Sequence, residues 1–403
     1  MFYDRNGNVI EVGYVTEDNI PIHVWSLPKV FITCDTPYTS MSDTKVNGVF
    51  SLIDGKAKLK EVPITIKIQG NASVLYQKKN LNITFFEDDT RDKKKKIIFG
   101  GWYPTNKIHL KANEYDFSMC RNSVGTKIAY DLMGKSLPNG ARGYIDSFPV
   151  IMFYNDIFQG CFTINLPQEG NTFNFDEENP NHLAYRCGGT GGGWDTDITR
   201  WEYRGDADET EEMTSKFQTV LSVMANSANL TKEIVEAHFD VDTLVSYLVF
   251  GQIAYCPDSF INNWTIATWD GVKWYHIFYD LDMCFGLGFS GSFWALPTGS
   301  VFEQEQSVNN AFFTKVRELY ADEMSAKYAE MRKYGADVET ITKRFYDFQN
   351  TWGSQNILAD RTMWADDKQN SIDIKDSGTT TYNMKTWLTE RFAYLDELYG
   401  YTE

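Results

Sequence analysis

The chain has 403 residues, of which 42% are hydrophobic, 15% aromatic and 23% charged, a balance that supports one large core or two and excludes a disordered or collagen-like chain. Its 55 acidic residues outnumber 38 basic ones, and the formal charge of −17 repels a phosphate backbone and argues against a nucleic-acid partner. Apolar runs such as Val150 to Tyr154 and Tyr247 to Phe250 stop far short of the ~20 residues that a membrane span needs.

The opening residues, Met1-Phe2-Tyr3-Asp4-Arg5, carry no basic segment followed by an apolar stretch and a small-residue cleavage site, so cytoplasmic synthesis is expected unless a leader has been removed. Residues 1–170 read as a strand-rich lobe. β-Branched and aromatic runs at Lys29 to Thr33, Ile64 to Ile68, Leu81 to Phe86, Lys107 to Lys111 and Val150 to Tyr154 are punctuated there by Gly, Asn, Asp and Pro. One helix interrupts them, capped by Ser118, with Val124, Ile128, Ala129 and Leu132 at helical spacing and Gly134 to close it.

Residues 171–210 read as an irregular insertion, in which Asn, Asp, Glu and Pro cluster at 171 to 181 and five glycines fall between Cys187 and Trp194. No helix pattern follows those glycines, so a surface loop is expected there rather than a phosphate cradle. Residues 211–403 turn helical, with apolar residues near a 3.6 period in Glu211 to Ala225, Thr231 to His238, Val241 to Ile253, Asn309 to Leu319, Asp322 to Lys333, Asp337 to Asn350 and Thr381 to Leu398. A hairpin is embedded among them: Trp264 to Trp269, the turn Asp270-Gly271, then Lys273 to Tyr279. The expected class is α+β, a strand-rich amino lobe followed by a helical carboxyl lobe.

Six dispersed cysteines form no C-x-x-C pair, so buried free thiols are expected. The histidines lack H-E-x-x-H spacing. Chemistry must then come from carboxylates, amides and lysines, and one segment concentrates them. Asp258 follows an apolar helix, Asn263 lies five positions on, and Asp280 and Asp282 follow the hairpin shortly before Phe285-Gly286. That order supplies a carboxylate to orient and deprotonate an acceptor hydroxyl, then hard oxygen ligands for a divalent cation, as phosphoryl transfer requires. Asp280 and Asp282 are expected on one face of a strand end, where a cation between them would relieve their repulsion.

The chain resembles the CotH kinase family, the spore-coat kinase-like proteins. Four stretches carry the likeness: Leu27 to Thr33; Ile66-Lys67-Ile68-Gln69-Gly70-Asn71-Ala72-Ser73 with Lys78-Lys79; Leu110-Lys111-Ala112-Asn113 with Asp116 and Arg121-Asn122; and Asp258 to Gly286. The resemblance implies a divergent protein-kinase-like two-lobe fold that binds ATP and Mg²⁺ (or Mn²⁺) and phosphorylates serine or threonine hydroxyls of a protein. It makes Asp258 the catalytic aspartate, with Asn263 and Asp280 as metal ligands and Asp282 as their companion. Asn71 and Ser73 fall in the family's R-G-N-S-S/T motif, which reads here with Gln69 for the arginine and Ala72 for a serine.

Lys79 shares parity with the apolar face of the strand Leu81, Ile83, Phe85 and is the expected phosphate-neutralising lysine, with Lys78 in reserve. Asp116 and Arg121 either pair with each other or serve the nucleotide. The acidic charge favours a basic, Ser-rich acceptor. Competing readings are a non-catalytic coat, virion or surface protein that keeps the fold, and transfer of another group such as AMP on the same scaffold. A glycosidase reading of Asp258 with Asp280, prompted by 11 tryptophans and 23 tyrosines, is weaker because most of those aromatics sit in strand or helix patterns.

Overall fold

The structure is a computed structural model and describes residues 2–3, 9–10, 27–54, 57–70, 72–99, 102–114, 116, 118–134, 137–170, 172–188, 198–205, 207–287, 296–304, 310–364 and 381–402. The first half runs β1 (Phe2–Tyr3), β2 (Val9–Ile10), β3 (Lys29–Thr33), β4 (Val46–Asp54), β5 (Ala57–Ile68), β6 (Leu81–Phe85), β7 (Lys107–Lys111), α1 (Arg121–Met133), β8 (Ser147–Tyr154), β9 (Ile157–Asn165), β10 (Leu183–Cys187) and β11 (Trp201–Tyr203). The second runs α2 (Glu211–Ala225), α3 (Lys232–His238), α4 (Val241–Ala254), β12 (Thr265–Thr268), β13 (Tyr275–Ile277), α5 (Val301–Gln304), α6 (Ala311–Leu319), α7 (Ala321–Lys333), α8 (Val338–Trp352), α9 (Ser354–Met363) and α10 (Thr381–Tyr399). The class is α+β.

The chain divides into two compact units whose segments interleave. One comprises Met1–Ser123, Asp146–Pro167 and Arg344–Asp373; the other Val124–Ile145, Gln168–Lys343 and Ile374–Glu403. Linear boundaries at residues 170 and 210 therefore do not describe it. Most of α1, expected within the strand-rich part, belongs to the second unit, and α9 belongs with the strands.

In the first unit seven strands close into a ring, β9-β7-β6-β5-β4-β3-β8, sealed by the pairing of β8 with β9. Alternation builds it: Val30 and Ile32, Ile64 and Ile66, Leu81, Ile83 and Phe85, Ile108 and Leu110, Val150 and Met152, and Phe162 and Ile164 recur at every second position, each at most 1% exposed. Closure leaves these strands no free edge. It depends on the parallel pairing of β3 with β8, between segments far apart in sequence. Helix α9 packs on β9, and the indoles of Trp352 and Trp364 donate to the carbonyls of Val150 (3.4 Å) and Gln159 (3.0 Å).

The second unit holds an antiparallel sheet of four strands, β11-β10-β12-β13. The stretch read as an irregular insertion supplies two of them, β10 and β11. At five and three residues they are too short for alternation to stand out. The hairpin turn is wider than Asp-Gly alone. Asp270 accepts the N–H groups of Val272 (2.8 Å) and Lys273 (2.7 Å), and β13 ends at Ile277. All six cysteines are buried free thiols. No described helix is long and apolar enough to cross a membrane.

At the heart of this unit α4 is capped by Asp240 and buried on every side from Thr243 to Ala254. His276 of β13 lies against it, fully buried among Trp264, Phe239, Tyr247 and Phe312, and neither ring nitrogen meets a partner among the described residues. Burial holds its pKa down, from 6.5 to about 3. Because the folded value lies below the unfolded one, the unfolded chain takes the proton first. The neutral ring's contribution is complete above pH 6.5 and drains away as pH falls toward 3. Denaturant titrations should show a loss of roughly 3 kcal/mol between pH 7 and 4.5 from this residue. His276→Phe should flatten that slope, and an identical slope in the variant would contradict the assignment.

Candidate active site

The site grows from the end of α4. Its last turn is buried, so its free carbonyls need partners from the protein. Arg391, itself 0% exposed, donates Nε and Nη2 to the Gln252 carbonyl (2.9 and 2.6 Å). The Phe285 N–H donates to the Ala254 carbonyl (2.7 Å). Tyr255 then leaves the helix in the left-handed region (φ 48°), and Pro257 prevents its continuation. The next residues wrap around Asp258, whose carbonyl accepts the N–H groups of Ile261 (3.1 Å), Asn262 (3.0 Å) and Asn263 (3.1 Å). That fold-back brings two amides onto one carboxylate: Asn262 Nδ2 donates to Oδ1 (2.9 Å), and Asn263 Nδ2 donates to Oδ2.

Asp280 and Asp282 do not lie on a strand end. β13 stops at Ile277, Asp280 takes the left-handed conformation (φ 55°), and Asp280 to Asp282 form a turn, so strand parity no longer relates the two carboxylates. Leu281 is buried between them, and Leu281 and Cys284 pack so close to Gly125 of α1 that a Cβ there would stand 3.3 and 3.2 Å from them. The Phe285 to Ala254 bond thus links this turn to the Asp258 segment. Asp258 feels the result: burial first, and then the charge of Asp280, raise its pKa from 3.8 to about 6 against the opposing pull of both amides and Arg186.

These groups fit a hard divalent cation. The donors are carboxylate and amide oxygens, and Asn262 Oδ1 is buried with no hydrogen-bond partner among the described residues. No three His, Cys, Asp or Glu side chains among the described residues form a metal cage. An ion held here would take much of its shell from water and phosphate, as Mg²⁺ does.

The lysines depart from the parity argument. β6 begins only at Leu81, and it is Lys78 that is buried, with Nζ donating to Asp360 Oδ2 (2.6 Å) and to the carbonyls of Cys161 (2.9 Å) and Ala112 (3.3 Å). All three ammonium hydrogens are used. Asp360 also accepts the Cys161 N–H (2.7 Å), and Gly160 (φ 104°) makes room, since a Cβ there would sit 1.9 Å from Asp360 Oδ2. Lys79 is half-buried, with Nζ on the Val74 carbonyl (2.7 Å).

Asp116 and Arg121 are buried and paired with each other, and the Asp116 carboxylate also takes the N–H groups of Ser118 (2.9 Å), Cys120 (2.9 Å) and Arg121 (2.7 Å) at the start of α1. Ser73 donates to the Gln69 carbonyl (3.1 Å); Asn71 lies outside the described residues. Sequence reasoning missed Asn262, for which the Asn-Asn dipeptide was the signal, and Asp360 and Arg186, which only pairing between distant segments brings into place.

In metal-free protein the Asp258 carboxyl should take up its proton near pH 6, and Asp280→Asn should lower that midpoint by removing a neighbouring negative charge. Carboxyl-carbon NMR of selectively labelled protein reads both, and an equal midpoint in parent and variant would contradict the coupling.

A family model described as CotH kinase protein matches residues 66–394, a span that contains α4, both loops of the site and the Lys78 and Asp360 pair. No curated protein matches the chain. With most of its length covered by that model, the chain belongs to the CotH kinase family.

Proposed function

We propose that this chain is an ATP- and Mg²⁺-dependent protein kinase with a divergent kinase-like fold, transferring a phosphoryl group to serine or threonine hydroxyls of a protein. The observation that carries the reading is the clamped carboxylate. Asp258 is held by two amides, and burial first and the charge of Asp280 second raise its pKa to about 6, which is the environment of a base that must meet a hydroxyl near physiological pH. Asp258 accepts the hydroxyl proton as the acceptor oxygen bonds to phosphorus and ADP leaves. Asn263 and Asp280, with Asp282 beside them, would hold the cation. When bound, Mg²⁺ would neutralise phosphate charge and align the triphosphate.

Lys79 neutralises phosphate in this reading, because turning its ammonium outward costs one carbonyl bond, whereas Lys78 would have to abandon a buried carboxylate. An acceptor with basic, Ser-rich segments suits a chain of charge −17. The full engagement of Lys78 also favours a second reading, a structural protein that keeps the fold without catalysis.

Titration calorimetry and phosphate-incorporation assays separate these. Asp280→Ala should weaken Mg-ATP binding by tenfold or more, while Asp258→Asn should keep the affinity and lose transfer by roughly 10²–10⁴-fold. Unchanged Mg-ATP affinity in Asp280→Ala would overturn the metal assignment. No incorporation into the chain or into basic Ser-rich peptides would favour the structural reading. Intact mass of the product distinguishes a phosphoryl from an adenylyl group.

A further inference from the structure

Beside the Asp258 segment the sheet carries a pair of arginines that the reading above does not use. Arg186 of β10 lies opposite Glu202 of β11 on one side and Thr265 of β12 on the other, and Thr265 is two residues from Asn263. Its guanidinium stacks over the Tyr279 ring (4.6 Å), next to Asp280, and its charge is felt at Asp258. Arg186 Nη2 pairs with Glu202 Oε2 (2.7 Å), and Arg204, just past β11, pairs through its own Nη2 with the same oxygen. Two guanidinium groups thus share one carboxylate, leaving a positive charge over within the trio. The Nε hydrogens of both arginines are buried and meet no acceptor among the described residues.

Glu202 is the most exposed of the three. Its side chain is 50% exposed, against 15% for Arg186 and 22% for Arg204. An internal carboxylate bridging two arginines, with donors to spare, occupies the position an external oxyanion would take. We propose that Arg186 and Arg204 form a phosphoryl-binding site in which Glu202 is a displaceable stand-in for the ligand. In the phosphotransfer reading, on which this rests for its purpose but not for its binding chemistry, the phosphoryl group belongs either to the nucleotide tail or to a phosphorylated acceptor.

The test uses the full chain and tripolyphosphate in the presence of a chelator, measured by titration calorimetry. Arg186→Gln and Arg204→Gln should each weaken binding by tenfold or more, and Glu202→Gln, which frees both arginines, should tighten it several-fold. A gain of affinity cannot come from misfolding, so the Glu202 variant keeps the test decisive if an arginine variant is unstable. Asp280→Ala removes a negative charge next to Arg186 and should not weaken this metal-free binding, whereas it weakens Mg-ATP binding if the metal assignment holds, so the two failures are told apart. ATP and a phosphoserine peptide then distinguish the sources: the one whose affinity follows all three variants is the ligand. Tripolyphosphate affinity indifferent to Arg186→Gln, Arg204→Gln and Glu202→Gln would overturn the proposal.

Discussion

Helix α4 is enclosed on every side, so the carbonyls of its last turn have no water to bind, and leaving such a group unmatched costs about 1–3 kcal/mol each. The partners recruited to meet that demand organise the site. Arg391 reaches in from α10 to the Gln252 carbonyl, and the Phe285 N–H arrives from the turn after β13 to the Ala254 carbonyl. Satisfying the helix end therefore draws the Asp280 turn toward the segment that begins at Asp258. Two like charges approach as a consequence, and the raised pKa of Asp258 is partly the record of that approach.

The amide clamp follows from the same geometry. Once Tyr255 turns left-handed and Pro257 ends the helix, three consecutive N–H groups close on the Asp258 carbonyl, which leaves Asn262 and Asn263 little choice but to face its carboxylate. The barrel unit has its own buried centre, where Lys78 and Asp360 are joined by the Cys161 peptide and by the missing side chain of Gly160. A buried ion pair of this kind is neutral to stability when complete and costly when one member is lost. It fixes α9 onto β9 more surely than it adds to the folding free energy.

Local pattern carried a good part of this into the sequence. Period-two runs marked β3, β6 and β7, apolar residues near a 3.6 period marked α4, and an aspartate with an asparagine five residues on marked the segment in which the clamp forms. Features resting on pairings between distant segments left no such trace. Nothing local announces that β3 will pair in parallel with β8 and close a ring, nor that Asp360 on α9 will meet Lys78. The parity argument for Lys79 failed because the chain becomes a strand only at Leu81, and the parity argument for Asp280 and Asp282 failed because the strand had already ended at Ile277. Arg186 was hidden for a similar reason, as β10 is too short to read before its neighbours are known.

The proposed function requires that the end of α4 bring Asp258, Asn263 and Asp280 to one ion-binding position. The most direct measurement is a crystal of the full chain soaked with Mn²⁺ and a non-hydrolysable ATP analogue, read by its anomalous signal. The account requires a peak within ~2.5 Å of an oxygen of Asp280 and of Asn263, with phosphate oxygens completing its shell. A peak elsewhere, or nucleotide bound with no metal against these residues, would contradict it.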